Sequence, residues 1–164
     1  MKILDKQQIK EKIKRLAIEI LENNFDEKRI ILGGINNNGM TFARLLRKEL
    51  KAIAHQEIIL TQIKLNPANP LSQEVTIGMP IKALADSSLI IVDDVANTGR
   101  TIFYAVKPLL ETLPRKVRVA VLVDRKHKSF PIHVDYVGLS LATTLKEDID
   151  VNIRDTKDWS VSLN

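Results

Sequence analysis

Strands and helices alternate along this chain in the manner of an α/β domain with a mostly parallel central sheet. Three observations predict that class. Apolar runs that read as strands ("RIILGG", "HQEIILTQIKL", "KVRVAVLV") share the chain with stretches of helical spacing. Residues 88 to 94 gather Ile90, Ile91 and Val92 in one strand that looks buried on both faces, as a central parallel strand is. The length, 164 residues with 45% hydrophobic and 27% charged, suits one domain with a real core. No internal repeat, low-complexity segment or linker divides it, so residues 1–164 are expected to form a single domain.

The elements follow in order. Asp5 is placed to cap a first helix, with Gln8 at the matching capping-box position. Ile9, Ile13, Leu16, Ala17, Ile20 and Leu21 then form one apolar stripe. "RIILGG" is a short buried strand, "NNNG" a turn, and "MTFARLLRKEL" a second helix with Phe42, Leu45, Leu46 and Leu50 on one side. "HQEIILTQIKL" is a strand, "NPANPLSQE" a loop or hairpin tip, and "EVTIGM" a short strand beyond it. After the strand at 88–94, Thr101 to Leu113 is helical, with Pro108 ending or kinking it. "KVRVAVLV" and "HVDYVGLSL" are strands around the loop "DRKHKSFP", and the tail supplies a last strand or covers an edge.

Composition excludes several classes. The chain has no cysteine, which removes a disulfide scaffold or thiolate metal site and suits a reducing cytoplasm. His55, His127 and His133 are scattered without ligand spacing, so no structural metal site is expected. No apolar stretch is long enough to span a bilayer, and no signal core follows the basic N-terminus; a cytoplasmic protein without membrane partners is expected. The net charge of +5 favours anionic partners, although a merely basic soluble protein fits equally. Lys6, Lys10 and Lys14 could present a basic face to phosphates, as for RNA, or a solvated face balanced by Glu11 and Glu19.

One string stands out: "IIVDDVANTGRT", residues 90 to 101. An apolar strand runs into two adjacent acids, which repel and need hydroxyl donors or a cation as partners. The turn that follows places Thr98, Gly99 and Thr101 at a helix start, where N–H groups converge on an anion. A ligand with a diol at one end and a phosphate at the other, such as ribose 5-phosphate, matches both halves. Simple helix capping by Asp94 or Thr98 is the alternative.

The string resembles the phosphoribosyl-diphosphate (PRPP) binding motif of type I phosphoribosyltransferases. "VRVAVLVDRKHKSFPIHVDYVG" is similar to the branch of bifunctional pyrimidine-operon attenuation regulators with uracil phosphoribosyltransferase activity. The resemblance covers about residues 88 to 147 and extends weakly back through "GINNNGMTFARLL". It implies the type I phosphoribosyltransferase fold, with a small hood from the C-terminal segment, and a Mg²⁺-dependent transfer of ribose 5-phosphate to a nucleobase, uracil or a related pyrimidine. It implies a homo-oligomer too. The alternative is a regulator that senses PRPP or a nucleotide and binds RNA.

Roles carry over residue by residue. Asp93 and Asp94 would be the catalytic acids, binding the ribose hydroxyls directly or through Mg²⁺. Ala96, Asn97, Thr98, Gly99, Arg100 and Thr101 would cradle the 5-phosphate. Asn36, Asn37, Asn38 and Gly39 fall at the pyrophosphate loop. Asp124 and Arg125 fall on the loop that shapes the base pocket, and Leu145, within "LATTLK", in the hood over the base. Asp124 could read ring N–H donors or simply pair with Arg125 or Lys126.

Two departures matter. The related regulators usually carry a Lys and an Arg in the pyrophosphate loop, where this chain has three asparagines. Asparagine donates only neutral hydrogen bonds, about half as strong as charge-assisted ones; the three could also form a plain turn without a ligand. Between Thr61 and Pro80, where the family has a closing loop, Lys64 is the single basic residue. Either that lid is rudimentary or another subunit contributes. Binding with slow turnover is therefore expected, and Asn38→Arg is expected to raise the rate.

Overall fold

A computed structural model describes residues 1–143, 146–154 and 157–164. Its centre is a six-stranded sheet, ordered β4-β3-β2-β5-β6-β7. The strands are β2 (Arg29–Ile35), β3 (Glu57–Lys64), β4 (Thr76–Ile77), β5 (Ser88–Ala96), β6 (Lys116–Arg125) and β7 (Tyr136–Leu141). All neighbours pair in parallel except β4, which runs antiparallel to β3 across the proline-bearing tip. The predicted α/β class with a mostly parallel central sheet is therefore present.

Period-two alternation puts opposite faces of β5 into two cores. Ile90 and Val92 pack with α1 (Lys6–Asn23) and α2 (Asn36–Ile53), among Leu16, Ile20, Phe42 and Leu46. Leu89 and Ile91 pack on the other side with Ile102, Ala105 and Leu109. The capping box at the start of α1 forms as its sequence requires: Asp5 accepts from the Gln8 N–H and the Gln8 side chain accepts from the Asp5 N–H. The helix after the acidic turn is shorter than its pattern suggested. α3 ends at Ala105 (Arg100–Ala105), and Pro108 lies in a 3-10 turn over Lys107–Glu111, because proline cannot donate to the α-helical ladder.

Two further local expectations are corrected. "NNNG" is not a free turn: it is the first turn of α2, which starts directly from β2. Asn36 makes the sharp corner at φ +50°, a left-handed angle that asparagine tolerates. Asp124 and Arg125 are the last two residues of β6, not loop residues, because β6 keeps pairing with β7 through Arg125 and Leu141.

The C-terminal segment expected to form the hood pairs with the other end of the chain. Its antiparallel sheet, ordered β1-β9-β8, joins β8 (Ile149–Asn152) and β9 (Ser160–Leu163) to β1 (Lys2–Leu4) from the other end of the chain. Three residues of β1 and four of β8 are too few to show a period. Trp159 packs against the core beneath this sheet, with the Lys6 ammonium 5.3 Å from its ring. Leu145 lies outside the described residues.

Candidate active site

The five parallel strands end on one side of the sheet, among them β2 at Ile35, β5 at Ala96 and β6 at Arg125. Ligands of open α/β sheets bind beyond such carboxyl ends. A cleft of about 310 Å³ opens there, walled by Asn36 and Asn38 of α2, Asp93 and Asp94, Asn97 and Thr101, Pro67 from the β3–β4 segment and Asp150 of β8. A larger hollow of about 540 Å³ lies on the other side of Asn36, against Gln62, Lys64 and Glu74. It contains neither the acid pair nor residues 96 to 101, so the residues that the resemblance singles out gather at the smaller cleft.

Asp93 is buried and Asp94 half-buried. Each carboxylate curls onto the following backbone: the Asp94 N–H donates to Asp93 Oδ1 at 2.9 Å, and the Val95 N–H to Asp94 Oδ1 at 2.8 Å. Burial pushes the Asp93 carboxyl well above the usual carboxylate range, and the neighbouring Asp94 charge pushes it further. Burial raises Asp94 too, against the lowering effect of its hydrogen bonds and of Arg154. Two hard carboxylates suit Mg²⁺, which binds through one or two carboxylates plus substrate phosphates rather than an all-protein cage. No group of three or more potential metal-binding side chains occurs among the described residues.

The phosphate turn is braced from outside. Residues 95 to 102 enclose a small pocket of about 50 Å³. The Thr98 carbonyl accepts from the N–H groups of Ser129 (2.9 Å) and Phe130 (3.2 Å), and Arg125 Nε donates to Asn97 Oδ1 at 3.1 Å. Gly99 sits at φ +89°, and a Cβ there would meet Ile132 and Lys128 at 3.3 Å. Gly99→Val is therefore expected to open the turn and weaken ribose 5-phosphate binding about tenfold or more, with the fold intact. Isothermal titration beside circular dichroism checks it; equal affinities would mean that the turn does not hold the phosphate.

The other expected residues divide. Asn36 exchanges two bonds with the Leu65 backbone, at 2.9 and 3.1 Å, so its amide fastens α2 to the end of β3. The Asn37 carbonyl accepts from the Thr41 hydroxyl. Asn38 reaches the cleft and accepts a hydrogen bond from Arg154. Gly39 is buried against β5. Asp124 is ion-paired with Lys128 at 2.6 Å rather than with Arg125 or Lys126. Arg125, buried, joins the phosphate turn through Asn97 to the hood through the Glu147 carbonyl at 2.6 Å. The Arg100 guanidinium leaves the turn altogether and donates to the Pro67 and Ala68 carbonyls at 2.5 and 3.1 Å, pinning the β3–β4 segment beside the cleft.

Sequence reasoning passed over Arg154 and the uncapped start of α2. Ile35 offers no side-chain cap and no acid occupies the first turn, so that helix presents N–H groups without a side-chain acceptor. The sequence signal was an unbroken passage from strand to helix with no Ser, Thr or Asp before it.

A model of the phosphoribosyl transferase domain matches residues 1–157 of the chain. The chain belongs to that family. It is 35% identical over 154 residues to the bifunctional protein PyrR of Streptococcus agalactiae, covering 92% of this chain and 88% of the relative. It is 32% identical over 170 residues to the PyrR of Pediococcus pentosaceus, covering 98% and 96%. Its fold matches the hypoxanthine phosphoribosyltransferase of Trypanosoma cruzi, with a TM-score of 0.79 at 16% identity over 98% and 94% of the two chains. It also matches a hypoxanthine-guanine phosphoribosyltransferase of Bacillus anthracis, at 0.76 and 17% over 98% and 97%. This chain is a type I phosphoribosyltransferase, a transferase of nucleotide metabolism that uses PRPP. No helix among the described residues is long and apolar enough to cross a membrane.

Proposed function

We propose that this transferase acts on a pyrimidine base, uracil first, with Mg²⁺ accompanying PRPP. The ring nitrogen forms a bond to C1 of the ribose. The C1–O bond breaks with its electron pair going to pyrophosphate, and the ring N–H proton is released to solvent. Asp93 and Asp94 would hold the ribose hydroxyls and the cation, residues 96 to 101 the 5-phosphate, and the first turn of α2 the pyrophosphate. Mg²⁺, when bound, would neutralise the leaving phosphates. The observation that carries this is one cleft bounded by the acid pair, the phosphate turn and the uncapped start of α2. The choice of uracil rests on the resemblance to the pyrimidine-operon regulators.

A second reading, a regulator that binds RNA, draws support from a separate hollow of about 190 Å³ between α1 and α2. Lys10, Lys14, Lys48 and Trp159 line it. We place both roles in the cytoplasm and in a homo-oligomer. Pyrophosphate release from PRPP across a panel of bases, with and without Mg²⁺, tests the first reading. Uracil is expected to give the highest rate, and that rate to vanish with chelator. A purine giving the highest rate would overturn the pyrimidine assignment.

A further inference from the structure

The proposed ligand is a polyanion, with a monophosphate at one end and a diphosphate at the other. Among the described residues, the cleft that would take it is lined by three carboxylates, Asp93, Asp94 and Asp150, and by no lysine or arginine. Arg100 and Arg125 start near it, but their guanidinium groups are bonded to the carbonyls of Pro67 and Glu147. Such walls would repel a diphosphate. The neighbouring cation comes from the hood. Arg154 lies just beyond β8, which forms one wall of the cleft, and its Nη2 donates to Asn38 Oδ1 on the opposite wall.

We infer that Arg154 is the cationic group for the leaving pyrophosphate, carried across the cleft by the hood and aimed by Asn38. This rests on the transferase reading above. A guanidinium has five N–H donors in a fixed fork; one on Asn38 leaves the others for phosphate oxygens. Arg154 also lowers the Asp94 carboxyl slightly against its burial, which agrees with a guanidinium near that end of the cleft. Asn38 is then a positioning residue, and the asparagine-rich loop is half of a two-part device. Charge accumulates on pyrophosphate as the C1–O bond breaks, so Arg154 should act more on turnover than on PRPP affinity.

Arg154 is exposed, so truncation should leave the fold intact. Arg154→Ala should lower kcat about ten- to a hundredfold. It should weaken Mg²⁺–pyrophosphate binding in calorimetry by a similar factor and leave ribose 5-phosphate affinity unchanged, while Arg154→Lys should recover part of the loss. Asn38→Arg should restore turnover in the Arg154→Ala background yet fail to raise it in the otherwise unaltered protein, where two guanidinium groups would face each other. Equal pyrophosphate affinity in the Arg154→Ala and unaltered proteins would overturn the inference, as would a rate gain from Asn38→Arg alone. Neither result touches the transferase reading. That reading fails separately if the unaltered protein releases no pyrophosphate from PRPP with any base, and the pyrophosphate titration still decides the role of Arg154.

Discussion

Asp93→Asn is expected to lower turnover about a hundred- to a thousandfold while making the ligand-free protein harder to unfold at neutral pH. The two effects have one source. Asp93 is buried beside a second acid, with its carboxyl held well above the ordinary value of 3.8. Below that value the folded and unfolded chains are both protonated, and the side chain exacts no penalty. As pH rises above 3.8 the unfolded chain ionises first, the folded chain retains its proton, and stability falls until the raised folded value is passed. Asparagine keeps an oxygen to accept the Asp94 N–H but never ionises. The stability gap between variant and unaltered protein should therefore open from about pH 4 and widen toward neutrality. Denaturant titrations at several pH values measure it. Asp94→Asn should act in the same direction but less, since hydrogen bonds and Arg154 offset its burial. Saturating PRPP with Mg²⁺ should narrow the gap, because the intact pair gains more from ligand binding. Parallel pH profiles for the two proteins would show that the buried acid carries no such penalty.

That result would also explain why the acid pair was legible from sequence and much of its surroundings was not. Asp93 and Asp94 follow a run of Ile and Val whose burial is written in composition, and two acids at such a place contradict every local preference of a core strand. The turn between β5 and α3 was legible for the same reason, since Thr-Gly-x-Thr is local. Long parallel strands and the capping box of α1 need only neighbours in sequence, and all were found.

What escaped depends on residues far apart. Arg154 and Asn38 are separated by 116 positions, and no periodicity links them. β1 and β9 pair from opposite ends of the chain. The Asp124–Lys128 pair is close in sequence, yet Lys128 shared the loop with other bases, and only the fold selects one. "NNNG" was misjudged because three asparagines favour a turn locally. The contact between α2 and β5 overrides that preference. The lack of charge in "NNNG" was thus a correct local observation with an incomplete consequence: the C-terminal segment brings Arg154 to Asn38.

The α2–β5 contact itself makes the last large effect predictable. Gly39→Ala should destabilise the fold and slow the reaction together. A Cβ at residue 39 would stand 2.5 Å from the Val92 carbonyl oxygen and 3.2 Å from the Gly34 backbone, closer than those atoms permit. Both obstacles belong to central β-strands, so neither can yield as a flexible side chain would; α2 must lift away from β5 instead. Overpacking of this kind costs about 1–3 kcal/mol. For a domain of this size that is a fall in Tm of roughly 2–12 °C. The shift would also move Asn38 and the uncapped N–H groups of α2 relative to Asp93, the next residue after Val92. A misplacement of about 1 Å at such a site can lower the rate a hundredfold. Gly33→Ala is the control, because its Cβ would meet chiefly the end of the Ile63 side chain, at 3.1 Å, which can rotate. Thermal unfolding and pyrophosphate release, measured on both variants, decide the matter. If Gly39→Ala melts with the unaltered protein and keeps its rate, the close approach of α2 to β5 does not set the geometry of the cleft. If instead stability and rate fall together there and neither does for Gly33→Ala, the absent side chain at residue 39 is what lets the helix start so near the acid pair.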